Sequence, residues 1–397
     1  MVHRDPPNVI RAALAFGPPR RVALHGHRAA AEPAMRGPRE ARRRTIVKLV
    51  VYGPDKRLGA LQGEQVVDLN GAHAKYLRET QNEPLPYEMA AAIVPPDLDR
   101  FILSGNRGIE GAERAVEYIM GKAADQLGPK GERLVQPRAD AKIHAPYPTR
   151  TRIMMAGGNF IVHSAGMGYR RPDGTSMSLE EVYAESRKKG IWGFYCFPEN
   201  VAGPDEEVIY PSRTDRLDYE GEVAVILGKA GKDIKASEGK DYIWGYTLQN
   251  DISARTTIPV RDNPQSAFQR AKNFDTSICA GPCIVVNEFP DPHNVTWETR
   301  VNGEVRQTGN TKDMTFNFYD YLEYMSSDMT LRPGDIISAG TTAGTAQDSS
   351  PLMPGTGGEG GAPAVRDPAR FLKPGDVVEI SNPAIGVLRN RIVAKPQ

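Results

Sequence analysis

Two carboxylates, Glu220 and Glu222, sit inside the apolar run "LDYEGEVAVIL" (217–227) with no basic residue beside them. In a strand, residues two apart share a face. Glu220 and Glu222 therefore align with Ala224 and Ile226, while Tyr219, Val223, Val225 and Leu227 line the other side. Both faces turn apolar within two residues, which predicts a strand buried on both sides. Two carboxylates entering such a strand stay ionised only where a cation compensates them; otherwise one holds a proton. For an isolated E-x-E the commonplace alternative is a solvated strand end. A third carboxylate, Asp251, follows in "GYTLQNDISAR", four residues before Arg255. If the two strands are neighbours, the three carboxylates meet. With no His or Cys close by, they form an all-oxygen site suited to a hard ion: Mg²⁺, Mn²⁺ or Ca²⁺.

The elements that must hold these residues are mainly strands. Beyond Arg152 the runs "RIMMAG", "YEGEVAVILG", "DYIWGYTLQND", "GPCIVV", "VTWETRVNGEVRQ", "DIISAGT" and "DVVEIS" read as β. Asn302-Gly303 predicts a two-residue hairpin turn, and each of the two Pro-Gly-Asp turns (333–335 and 374–376) leads into a strand. Helical patterns are few, at "SLEEVYAESRKKG" and "FYDYLEYMSSD". Residues 45–148 read as a small α+β domain. It comprises "TIVKLVVYG", a hairpin through Gln62-Gly63, the helix "AHAKYLRET" and an amphipathic helix "ERAVEYIMGKAADQL" with Ala115, Ile119 and Ala123 on one side. Pro146 and Pro148 mark a linker to a catalytic domain at 149–397. The first 44 residues carry ten Arg, no Lys and three acidic residues, without an apolar stretch typical of a secretory signal. A transit peptide, a start codon set upstream of Met35 and a disordered tail all fit this composition. The loop "GTGGEGG" (355–361) has neither the strand nor the helix of a phosphate-binding turn, and is expected to be a flexible loop that contacts the mouth of the site or a neighbouring subunit.

Composition excludes several classes. Fifty basic and 49 acidic residues leave a net charge of +1, so no global attraction to nucleic acid or anionic membrane exists. No apolar run approaches the roughly 20 residues of a membrane span. Cys196, Cys279 and Cys283 form no C-x-x-C pair and are odd in number, which fits a reducing cytoplasm and buried thiols rather than a disulfide framework.

The segments "LDYEGEVAVILGK", "GYTLQNDISAR", "AKNFDTSICAGPCIV", "VNGEVRQTGNTKDM", "LRPGDIISAGTTAGT" and "LKPGDVVEISNPAIGVLRNRIV" occur in the order found in the fumarylacetoacetate hydrolase family. The chain resembles that family from about Thr151 to Val393. The resemblance implies an α+β, β-rich fold with a mixed β-roll or sandwich catalytic domain, and a homodimer. It implies a divalent metal, usually Mg²⁺, on Glu220, Glu222 and Asp251, and substrates such as acylpyruvates and other 2,4-dioxo acids or β-diketones. Arg255 and Lys272 would bind substrate oxygens, Thr341 would belong to the substrate pocket, and His163 in "GGNFIVHSAGM" would be the base.

The chemistry this implies is hydrolysis of a C–C bond in a 2,4-dioxo acid. The metal polarises a carbonyl, and His163 deprotonates water for attack on the distal carbonyl. The alternative on the same site is isomerisation, tautomerisation or decarboxylation of a 2-oxo acid. Three departures bear on the choice. Gly166 stands where a Glu would complete a His–Glu dyad, an insertion at about 167–200 follows, and Phe197-Pro198 replaces the usual Lys-Pro. Glu180, Glu181 and Glu185 of the insertion read first as a solvated helix face, with one of them swinging in as the missing carboxylate as the alternative. Trp192, Phe194, Tyr195 and Phe197 suggest an apolar pocket wall.

Overall fold

The computed structural model describes residues 47–122, 124–171, 173–255, 264–286, 289, 291–351 and 366–396. The Arg-rich extension and the "GTGGEGG" loop lie outside them. The carboxylate-bearing strand Gly221–Leu227 is central. It lies antiparallel between Ile243–Asp251 and Ile336–Ser338, and all seven of its residues are buried. Its two faces enter different cores, as the period of two requires. Tyr219, Val223, Val225 and Leu227 pack with Trp297, Val378, Ile380 and Leu388 of a second sheet. Ala224 and Ile226 pack with Phe101, Ile102, Ile109 and Val116, which belong to the helices Leu98–Leu103 and Gly105–Met120. The result is three layers, with the second sheet, the large sheet and the helices stacked in that order.

Among the described residues the large sheet extends through Ile278–Val286 to Val47–Tyr52 and the hairpin Arg57–Gln62 and Gln65–Asp68. On the other side it continues through Ile153–Ala156 to the edge strand Gly193–Cys196. Strands from before and after residue 148 thus share one hydrogen-bonded layer, and the described residues from Val47 onward form one compact unit. The second sheet is built from Glu304–Asn310, Thr296–Val301, Val377–Asn382, Gly386–Val393 and Glu207–Ile209. Asn302 and Gly303 both adopt positive φ, as a two-residue turn of this hand demands.

Most predicted elements form, with two classes of exception. The helix expected to run through "GKAADQL" begins earlier, at Gly105, and stops at Met120, with Gly121 as its C-cap. Ala115 and Ile119 are buried on it, and Ala123 lies outside the described residues. Short helices at Pro86–Ile93, Ile161–Gly166, Pro264–Lys272 and Ala346–Ser349 were not legible. They are 4 to 9 residues long, too short for a helical period to emerge. The insertion forms the helix Leu179–Lys189, opened by a Ser178/Glu181 capping box. No described helix is long and apolar enough to cross a membrane.

Candidate active site

Register brings the three carboxylates together. Gly221 pairs with Asn250 and Glu222 with Gln249, and the Asp251 amide donates to the Glu220 carbonyl at 2.9 Å. Glu220 and Asp251 thus face each other across the strand pair, with Glu222 one pleat further along. Ligand oxygens of Glu220, Glu222 and Asp251 all lie within 4.8 Å of one another, and all three residues are buried. The residue between the two glutamates faces the opposite layer. Its amide donates to Gln307 Oε1, and its carbonyl accepts from Trp297 Nε1 and Thr341 Oγ1. A Cβ there would sit 2.0 Å from Thr299 Oγ1, so Gly221 is dictated by close approach of the second sheet. Gly221→Ala is expected to cost about 1–3 kcal/mol of stability, read from the urea midpoint. A change below about 0.5 kcal/mol would show that the second sheet yields at this point.

Two cations compensate the cluster in part. Lys272, from the helix Pro264–Lys272, directs its ammonium to Glu220 Oε2 (2.6 Å), Asp251 Oδ2 (2.7 Å) and Ser253 Oγ (2.6 Å). Arg255 donates through Nη2 to Glu220 Oε1 and through Nε to Asp218 Oδ2 at 3.1 Å. Counting Asp218, four buried carboxylates face two cations, leaving two formal negative charges. The electrostatics reflect that imbalance. Burial, with the Asp251 and Glu220 charges, holds the Glu222 carboxyl well above the usual range. Burial pushes Asp251 up to about 7, against the pull of Lys272. Burial would raise Glu220 also, but Arg255 and Lys272 outweigh it and hold this carboxyl below its ordinary value. Asp251 Oδ1 is buried without a hydrogen-bond partner, while Ser338 Oγ donates to Glu222 Oε2. An all-oxygen donor set, an orphaned carboxylate oxygen and a two-charge deficit fit a hard divalent cation.

His163 lies on the short helix Ile161–Gly166 and is buried. The preceding Asn159 fixes the entry to this helix. Its side-chain amide donates to the carbonyls of Phe316 and Ala339, and its oxygen accepts from the Phe316 amide. The carboxylate beside His163 is Asp348, whose Oδ2 lies 2.6 Å from His163 Nδ1; the alternative that Glu180, Glu181 or Glu185 swings in is not what the structure shows. Glu181 pairs with Arg171 and closes the capping box, Glu185 pairs with Lys189, and Glu180 is exposed. Gly166 makes the substitution possible, because a Cβ at 166 would fall 2.7 Å from Asp348 Cβ.

Asp348 is itself held from three directions. Its Oδ1 accepts from the Gly344 amide, and its own amide donates to Thr345 Oγ1. Asp218 accepts from the amides of Ala346 and Gln347, at the start of the helix Ala346–Ser349. Arg366 bridges the ends of the two dyad helices by donating to the carbonyls of Gly166 and Ser350. Asp218 thus joins the two halves of the site, bonding Arg255 on one side and the Asp348 helix on the other. Asp218, Ser338 and Asp348 all escaped the sequence reading. Only Asp218, two residues before Glu220 in a run heading into the core, offered a signal.

His163, the three carboxylates, Arg255, Lys272 and Thr341 line one open-mouthed cavity of about 150 Å³. The Thr341 hydroxyl is already spent, donating to Gly221 O and accepting from Gln307 Nε2. Of the four aromatics expected at the wall, Trp192 and Phe194 line the cavity, whereas Phe197 is exposed and the Tyr195 hydroxyl is directed to Met329 Sδ.

Comparison with known proteins identifies the family. The family described as Fumarylacetoacetate (FAA) hydrolase C-terminal matches residues 152–393. Oxaloacetate tautomerase YisK of Bacillus subtilis is 30% identical over 338 residues, covering 84% of this chain and 94% of its own. The mitochondrial oxaloacetate tautomerase FAHD2A of Homo sapiens is 31% identical over 301 residues, covering 76% and 81%. Among solved structures, maleylpyruvate hydrolase from Sphingobium sp. SYK-6, in complex with manganese (II) ion and pyruvate, superposes with a TM-score of 0.58. It is 21% identical and covers 88% of this chain and 100% of that one, a likeness of fold. From the matched 152–393 segment and the relatives aligned over most of its length, this chain belongs to the fumarylacetoacetate hydrolase family of enzymes.

Proposed function

We propose that this protein is a tautomerase of 2-oxo acids, moving a proton between an enol oxygen and C3 of the substrate. The observation that carries this reading is the His163–Asp348 pair opening onto the same cavity as the carboxylate triad. Glu220, Glu222 and Asp251 would hold a divalent cation, with Mg²⁺ the expected ion. When bound, it supplies electrophilic polarisation of a 2-oxo carboxylate. Arg255 stays locked between Asp218 and Glu220 and gives the cavity floor a fixed positive charge. All three ammonium protons of Lys272 are engaged. With Glu220 and Asp251 holding a cation, Lys272 would be free to direct an ammonium proton toward the substrate carboxylate. Asp348 accepts from Nδ1–H of His163 and so leaves Nε2 as the basic nitrogen. That nitrogen takes the proton of the enol O–H and delivers it to C3. The O–H bond breaks as the C–H bond forms, and no water is consumed.

Hydrolysis of a 2,4-dioxo acid is the second reading, favoured by the same oriented imidazole, which can equally deprotonate a water. Tautomerisation is preferred because the relatives aligned over most of this chain are named for it. The test is the decay of enol absorbance for oxaloacetate and a panel of acylpyruvates, with Mg²⁺ and with chelator, followed by product identification. Accelerated decay to a single keto compound is expected. Release of two fragments would transfer the assignment to hydrolysis, and no acceleration of any compound would defeat both. A homodimer in a reducing cytoplasm completes the proposal; three buried free thiols accord with such a compartment.

A further inference from the structure

Building on the tautomerase reading, we infer that the cavity selects a 2-oxo acid with one carboxylate and a planar apolar group on C3, and discriminates against a second carboxylate. One side of the cavity carries the charge described above; another is aromatic. Trp192 and Phe194 come from the segment that ends the insertion, and Phe268 from the helix that carries Lys272. The three rings pack edge to face, with centroids 5.8 Å apart for Trp192–Phe268 and 5.0 Å for Phe194–Phe268. This arrangement fixes their faces without help from a ligand.

The backbone is shaped to admit the wall. A Cβ on Gly157 would fall 2.5 Å from carbons of the Trp192 indole. The indole can therefore lie against the end of the strand Ile153–Ala156 only because residue 157 is glycine. Phe194 is held opposite Met155 in the sheet, and its ring faces the Lys272 ammonium at 5.4 Å, tying the aromatic wall to the charged floor. Trp192 stays 46% exposed, leaving indole surface for a ligand to cover.

The cations follow the same logic. Among the described lining residues, the basic groups are Arg255, Lys272 and His163, and each already bonds a carboxylate of the protein. The substrate's 2-oxo carboxylate can take up the one that Lys272 releases. A second carboxylate on C3 would meet ring carbons and find, among the described lining residues, no cation without a carboxylate partner. A flat apolar substituent would gain ring contacts at the same place.

The experiment compares phenylpyruvate with oxaloacetate as enol substrates of the full chain loaded with Mg²⁺, and repeats both with Trp192→Ala and Phe268→Leu. The expected result is a kcat/KM for phenylpyruvate at least about tenfold above that for oxaloacetate. In either variant that ratio falls about tenfold, mainly through KM for phenylpyruvate, while thermal melting confirms the fold. Oxaloacetate preferred by the parent enzyme, or both substrates losing equally in the variants, overturns the selectivity and leaves the tautomerase reading standing. If neither enol is accelerated while acylpyruvates are cleaved, the tautomerase reading falls and this inference with it.

Discussion

Asp348→Asn is expected to lower kcat by about 10²–10³-fold, to change KM less than about threefold and to leave divalent-metal affinity intact. The magnitude follows from what the carboxylate does. Asp348 Oδ2, 2.6 Å from His163 Nδ1, accepts a hydrogen bond from Nδ1–H and fixes the tautomer with a free Nε2. An amide in the same place can present its NH₂ to Nδ1, which then becomes the acceptor and moves the proton to Nε2. The base is lost while the shape is kept, and general-base catalysis of this kind is worth about 10²–10⁴-fold. Asp348 Oδ1 also accepts from the Gly344 amide, so Asp348→Ala would disturb the loop as well, and only the Asn variant isolates the electronic effect. A pH–rate profile separates the two roles: loss of the base flattens its limb, whereas a purely structural defect scales the whole curve. Full activity in Asp348→Asn would remove the pair from the mechanism.

How much of this site is legible in the sequence depends on the separation of its parts. Glu220 and Glu222 declare themselves because a period of two is local. Asp251 follows because the next strand is the antiparallel neighbour, and its amide bonds the Glu220 carbonyl. The family motifs then supply Arg255, Lys272 and His163, and the structure brings all three to one cavity. Asp348 was illegible for a physical reason. It lies 185 residues from His163, on a four-residue helix, Ala346–Ser349, with no period of its own. Gly166 held the clue in negative form, since an absent side chain marks where another chain segment must approach. The insertion's glutamates behave as the solvated helix face their composition suggests, with Arg171 and Lys189 keeping Glu181 and Glu185 occupied on the solvent side.

Glu222→Gln separates function from stability, and the two move in opposite directions. Among the described residues, Asp218, Glu220 and Asp251 pair with Arg255 and Lys272 while Glu222 has no ion-pair partner, so the metal-free protein carries an electrostatic cost at this point. The buried Glu222 carboxyl, held well above its usual range, must in the metal-free parent either bear a charge or take up a proton; an amide of equal shape removes that cost, and its oxygen can still accept from Ser338. The metal-free variant is expected to be as stable as the parent or more so, by on the order of 1 kcal/mol in chemical denaturation. Affinity for Mg²⁺ or Mn²⁺, measured by calorimetry, falls at least about a hundredfold, because one of three charged ligands is gone. Activity at saturating substrate falls about 10³-fold, and the rise in melting temperature that Mg²⁺ gives the parent disappears. Destabilisation together with unchanged metal affinity would mean that Glu222 holds the strands rather than the ion. The paired outcome is the stronger test, because a substitution that merely loosens the fold cannot raise stability while abolishing metal binding.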